Sequence, residues 1–158
     1  MSRGRRFRPV GAATAVGHRS HSLDPVFLLD TNVISELRRP RPHGAVLAWL
    51  AGVADRDIHL SAVTIGELQA GVEKTREQDP AKAADIEAWI DRVAGTYNIL
   101  PMNAASFRRW ARLMHRRSDA MIEDAMIAAT AEVHNLTVVT RNTRDFEMLG
   151  ARTLDPFR

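Results

Sequence analysis

Four carboxylates in this 158-residue chain sit where an acidic side chain needs a reason: Asp30, Glu67, Asp124 and Asp145. Asp30 closes the apolar run VFLL and precedes a segment with helical spacing. It is either an N-cap that accepts a backbone N–H or a group presented at a strand end. Glu67 follows Thr64 by three positions, which is also the spacing of a capping box. Asp124 interrupts MIEDAMIAATA, where Ile122, Ala125, Ile127 and Ala129 imply a buried helix. A carboxylate beside such packing is costly unless an arginine or a metal compensates it. Asp145, in TRNTRDF, can cap a short helix, pair with Arg141 or bind a metal. If the four converge, they raise one another's pKa values unless a cation neutralises them. All-oxygen donors suit Mg²⁺, with Mn²⁺ as the alternative. Such an ion acidifies a bound water and screens a phosphate, so the chemistry expected is phosphodiester hydrolysis. Thr31, Asn32, Thr140 and Asn142 stand next to these acids as groups that would hold a carboxylate or orient water, or that serve as turn and capping residues.

Convergence depends on the elements that carry these residues. VFLLD reads as a strand feeding the helical TNVISEL; Arg39-Pro40-Arg41-Pro42 then breaks the chain before an amphipathic stretch from Ala45 to Val53. DIHLS is a second strand, residues 64–76 and 81–94 are two helices, and NIL at 98–100 is a brief third strand. Helices over 103–117 and 120–134 precede LTVVT, the clearest strand, followed by a short helix around Phe146 and an extended piece near Thr153. Strands separated by helices need crossover connections, so the fold class expected is α/β. Its core is a parallel sheet of four to five strands flanked by helices on both faces. In such sheets ligands bind beyond the carboxyl ends of the strands, where Asp30 and Thr140 fall.

Composition narrows the chemistry further. The absence of cysteine rules out disulfides, thiolate zinc sites and a cysteine nucleophile, and the six histidines form no HExxH pattern. No stretch is apolar for long enough to span a bilayer, so a cytoplasmic protein without a membrane segment is expected. The net charge of +3 is unevenly placed: residues 1–25 hold five arginines against Asp24 and so carry +4, leaving −1 for the remainder. Bulk charge is therefore no argument for nucleic-acid binding. Residues 1–24 lack periodicity and read as a basic disordered leader, or as the result of a start placed too far upstream; residues 25–158 read as one domain.

Two surfaces carry a partner reading. Arg108, Arg112 and Arg116 recur every four residues on a predicted helix, with Arg109 and Arg117 adjacent and Phe107, Ala111 and Met114 as its inward side. This row is either an RNA-backbone contact or a plain solvated face. Leu68, Val72, Ile86, Trp89 and Ile90 make the paired helices strongly apolar, as core packing or as a dimer or antitoxin surface.

The segments VFLLDTNVISEL, LSAVTIGELQAGV and IEDAMIAATAEVHNLTVVTRNTRDFE, in that order, resemble those of PIN-domain proteins of the VapC toxin type over residues 26–155. The resemblance places the family's metal-binding acids on Asp30, Glu67, Asp124 and Asp145, all four filled. It implies a Mg²⁺-dependent endoribonuclease acting on tRNA or ribosomal RNA, the toxin of a toxin–antitoxin pair. It also implies a homodimer and a hetero-oligomer with a VapB-like antitoxin. The competing reading is a non-catalytic nucleic-acid-binding partner acting with an antitoxin at operator DNA, which would not need the complete acidic set. An aspartyl phosphatase is disfavoured because Asn32 stands where a second acid would be required.

Overall fold

A computed structural model describes residues 25–158; the leader expected over 1–24 lies outside them. In chain order the elements are β1 (Phe27–Leu29), α1 (Thr31–Glu36), α2 (Gly44–Ala51), β2 (Ile58–Ser61), α3 (Ala62–Gln78), α4 (Pro80–Thr96), β3 (Asn98–Leu100), α5 (Ala104–Met114), α6 (Ile122–Val133), β4 (Thr137–Val139), α7 (Thr143–Met148) and β5 (Thr153–Leu154). The strands form one sheet in the order β3-β2-β1-β4-β5, every neighbouring pair parallel.

The alternation of side chains along a strand sends successive residues to opposite faces, and β1 does this with apolar residues on both. Phe27 and Leu29 enter one core with residues of α1 to α4, including Val33, Val46, Val72 and Ile90. Leu28 enters the other, with Leu113 of α5, Ala125, Ile127, Ala128 and Ala129 of α6, and Phe146 of α7. The five-stranded parallel sheet covered on both sides thus matches the expected class. Leu68, Val72, Ile86 and Ile90 are buried in the first core, with Trp89 packed against it, so this apolar set holds the α3–α4 pair onto the sheet. Among the described residues no helix is long and apolar enough to cross a membrane.

Strand order sets the position of the site. From β1 the chain builds outward through β2 and β3, then returns to add β4 on the other side of β1 and β5 beyond it. The crevice of a doubly wound sheet opens at this reversal. Here Asp30 N–H donates to the Val139 carbonyl at 2.9 Å, joining the ends of β1 and β4.

Candidate active site

Asp30 leaves β1 as the N-cap of α1, and its Oδ1 accepts from Thr31 N–H at 2.8 Å. Its second oxygen, Oδ2, accepts from the Thr140 hydroxyl at 2.8 Å in a buried contact. Capping and the site role therefore coexist in one side chain. Burial raises its pKa above the usual carboxylate range, while the bonds from Thr140 and Thr31 pull it back.

Glu67 is not a capping-box acid. The N-cap of α3 is Ser61, whose side chain accepts from Val63 N–H, so Thr64 and Glu67 lie inside the helix, one turn apart on one face. The Thr31 hydroxyl donates to Glu67 Oε1 at 3.0 Å; having spent its hydrogen there, it receives one from the buried Thr64 hydroxyl, also at 3.0 Å. This two-threonine relay aims Glu67 from α3 towards the start of α1. The Glu67 pKa is raised, first by partial burial and then, against the Thr31 bond, by the charges of Asp30, Glu123 and Asp124.

Asp124 sits in the first turn of α6. It forms no ion pair among the described residues, so the arginine-paired alternative falls away. Its pKa is raised from 3.8 to about 6, mainly by burial, then by Asp30, Asp145 and Glu123. Asp145 lies in the first turn of α7, whose N-cap residue is Asn142. It is not paired with Arg141, whose guanidinium lies over the Phe157 ring at 3.8 Å; the His43 ring meets that phenyl edge-on at 5.3 Å.

At the carboxyl end of the central strands Glu67 thus feels the charges of Asp30 and Asp124, and Asp124 those of Asp30 and Asp145; Glu123 acts on both as a fifth acid that sequence reasoning passed over. Among the described residues no three Asp, Glu or His side chains meet at a single point. The donor chemistry nonetheless fits a hard divalent cation, with oxygen ligands throughout and no arginine or lysine bonded to any of the five among the described residues.

The four neighbours divide. Thr31 and Thr140 touch acids directly. Asn32 instead accepts from Arg141 N–H at 3.4 Å, and Asn142 supplies its backbone N–H to the Thr140 hydroxyl at 2.9 Å. Thr64 is not a cap, so the capping-box alternative falls away; its position one turn before Glu67 is the signal for its supporting role.

The arginine row differs from expectation. Helix α5 stops at Met114, and Arg116 follows in a left-handed conformation at φ 60°, so it does not continue the face of Arg108 and Arg112. The inward side is Ser106, Trp110, Leu113 and, as expected, Met114, which packs against the second core; Phe107 is 45% exposed and Ala111 faces solvent. Arg108 and Arg112 line a cleft with Glu132 and Val133, where Glu132 pairs with Arg109 at 2.6 Å. Glu132 is eight residues along α6 from Asp124, about 12 Å at the helical rise.

The PIN domain family matches residues 27–151. The chain is 36% identical over 146 residues to Toxin FitB of Neisseria gonorrhoeae, covering 84% of this chain and 99% of that protein. It is also 36% identical over 143 residues to VapC ribonuclease Y4jK of Sinorhizobium fredii, covering 84% and 98%. Among solved structures it is similar to VapBC-5 of Mycobacterium tuberculosis, a member of the VapBC family of toxin–antitoxin systems. That likeness has a TM-score of 0.56 and 29% identity over 82% of this chain and 97% of the other. A match across most of the described fold, with relatives spanned almost end to end, bears out the resemblance: the chain belongs to the PIN-domain family, as a toxin of the VapC type.

Proposed function

We propose that residues 25–158 form one catalytic domain, a cytoplasmic endoribonuclease that hydrolyses phosphodiester bonds of tRNA or ribosomal RNA as the toxin of a toxin–antitoxin pair. A VapB-like antitoxin restrains it in a hetero-oligomer built on a toxin homodimer. Asp30, Glu67, Asp124 and Asp145 hold Mg²⁺, or Mn²⁺ on the same oxygens. When bound, the ion supplies an ionisable water near neutral pH and screens the scissile phosphate.

The chain's own residues do the positioning. Thr140 and the Thr31 amide fix both oxygens of Asp30, leaving its remaining lone pairs for a ligand. Thr64 and Thr31 orient Glu67 by the same logic. Asp124 must shed a proton near pH 6 before it can ligate. The observation that supports this reading above others is that burial and neighbouring carboxylates raise the pKa values of Glu67 and Asp124 at the β1/β4 reversal, with no basic group bonded to either among the described residues.

The test is cleavage of tRNA and ribosomal RNA by the purified chain. Asp30→Asn and Asp124→Asn are expected to lower the rate at least about a thousandfold, on the scale of losing metal-assisted water activation, with melting behaviour preserved. EDTA should stop the wild type and Mg²⁺ restore it. Cleavage by either variant at the wild-type rate would overturn the assignment.

A further inference from the structure

The cleft that contains Glu67 also contains cations that the acidic cluster does not use. It is open, about 360 Å³, and its walls include Thr31 from α1, Arg38 from the turn that follows α1, Glu67 from α3, and Lys82 from α4. Arg39, the next residue along, is held by Glu36 at 3.3 Å. Arg38 and Lys82 form no ion pair among the described residues. Arg38 instead lies over the indole of Trp89, 5.7 Å from the ring centre, and Trp89 is itself packed against the α1–α4 side of the core. A guanidinium seated on an aromatic face keeps its in-plane N–H donors pointing outward, where two oxygens of a carboxylate or phosphate can accept them.

Charge distribution says what such an oxyanion is. Outside residues 1–25 the chain carries −1, and the site adds a concentration of carboxylates, so a polyanionic strand needs local cations to approach it. On the α5 side, Arg109 is neutralised by Glu132, which stands about 12 Å along α6 from Asp124 at the helical rise. Arg38 and Lys82 are the cations that share a wall with Thr31 and Glu67.

We propose that Arg38, seated on Trp89, together with Lys82 forms a subsite for a phosphodiester neighbouring the cleaved one on a single-stranded RNA. This subsite deepens the nuclease reading and rests on it. The contact is to the backbone, so it sets affinity and salt dependence without reading bases. Arg38 acts as a substrate-binding residue, and Trp89 positions it.

The experiment has two arms. In the first, a short fluorescein-labelled single-stranded RNA of mixed sequence is titrated into the full chain carrying Asp30→Asn, with and without Arg38→Ala, across a salt series. In the second, steady-state cleavage is compared for the wild type, Arg38→Ala, Lys82→Ala, Trp89→Phe, Trp89→Leu and Arg92→Ala. Arg38→Ala should raise Kd and KM about tenfold, leave kcat unchanged and shrink the slope of log K against log salt by about 0.7, one phosphate's share on a single strand. Lys82→Ala should behave similarly but more weakly. Trp89→Phe should retain function, while Trp89→Leu should raise KM although Arg38 is present. Arg92, on α4 outside the cleft, should be silent. An unchanged Kd and salt slope in Arg38→Ala, absence of RNA binding, or loss confined to kcat overturns the subsite. If the wild type cleaves and Arg38→Ala binds RNA normally, only the subsite fails. If Arg38→Ala weakens binding but the wild type does not cleave, the nuclease reading fails and the subsite stands as an RNA contact.

Discussion

Thr140 gives its hydroxyl hydrogen to Asp30 Oδ2 while its oxygen receives the Asn142 amide, so one fully buried side chain ties β4 and the turn after it to the central acid. Valine has the same shape without either bond. Thr140→Val is expected to lower the cleavage rate or metal affinity about 10- to 100-fold, the usual cost of removing a ligand's supporting partner. Thr140→Ser should retain most of it. Isothermal titration with Mg²⁺ beside kcat measurements checks both, and a valine variant with unaltered metal affinity and rate would remove Thr140 from the site's design. The placement of Asp30, Asp124 and Asp145 was legible because each stands at or near an element end or in an apolar run; Glu67 lies inside α3 and had only its capping-box spacing to mark it. The supports of these acids were less legible: Thr64 works through a contact with Thr31, 33 positions away in sequence, and no local spacing reports that.

At the scale of elements, apolar runs and carboxylate-terminated strands were sufficient for β1, β4 and α6, whose inward residues are wholly apolar or small. Helix α5 was harder because its inward face is mixed. Ser106 is buried, and Trp110 is part-buried, its indole N–H donating to the Ile122 carbonyl at 3.2 Å. Phe107 remains outside, edge-on to Trp110 at 6.1 Å. A pattern that counts apolar side chains therefore places Met114 correctly but turns Phe107 and Ala111 inward, and it extends the helix past its end. That end is set by local geometry: Arg116 is left-handed, the Arg117 backbone N–H donates to the Met114 carbonyl at 2.9 Å, and the Arg117 guanidinium donates to the Leu113 and Met148 carbonyls. A β-branched residue resists that conformation. Arg116→Val should lower unfolding free energy by about 1–2 kcal/mol, whereas Arg116→Gly should be neutral or mildly stabilising. Urea denaturation of the two variants measures the difference, and equal midpoints would contradict the account.

The whole molecule should register the acidic cluster as a pH-dependent liability. The Asp124 pKa is raised from 3.8 to about 6, first by burial and then by Asp30, Asp145 and Glu123. A raised acid favours the folded state while protonated. Its stabilising contribution is complete below 3.8 and is lost as pH climbs through about 6. An ion that binds only the folded chain reverses this above that range, by mass action. The rise in Tm on adding Mg²⁺ should thus be small at pH 5 and large at pH 7.5, and Asp124→Asn should flatten the difference. Calorimetry at the two pH values decides it; a Mg²⁺ effect independent of pH would show that Asp124 is not a ligand.

The parallel sheet also divides responsibility between two stretches of the chain. Asp30 and Glu67 arrive before the Pro101–Asn103 connector, Asp124 and Asp145 after it, and the two contributions are brought together where β1 lies against β4. With the four acids holding the ion as proposed, nuclease activity on this scaffold is indivisible. A polypeptide interrupted at the connector would have two half-sites, each short of ligands, and harm to a cell would have to wait until the central strand of one fragment was bordered by the returning strand of the other.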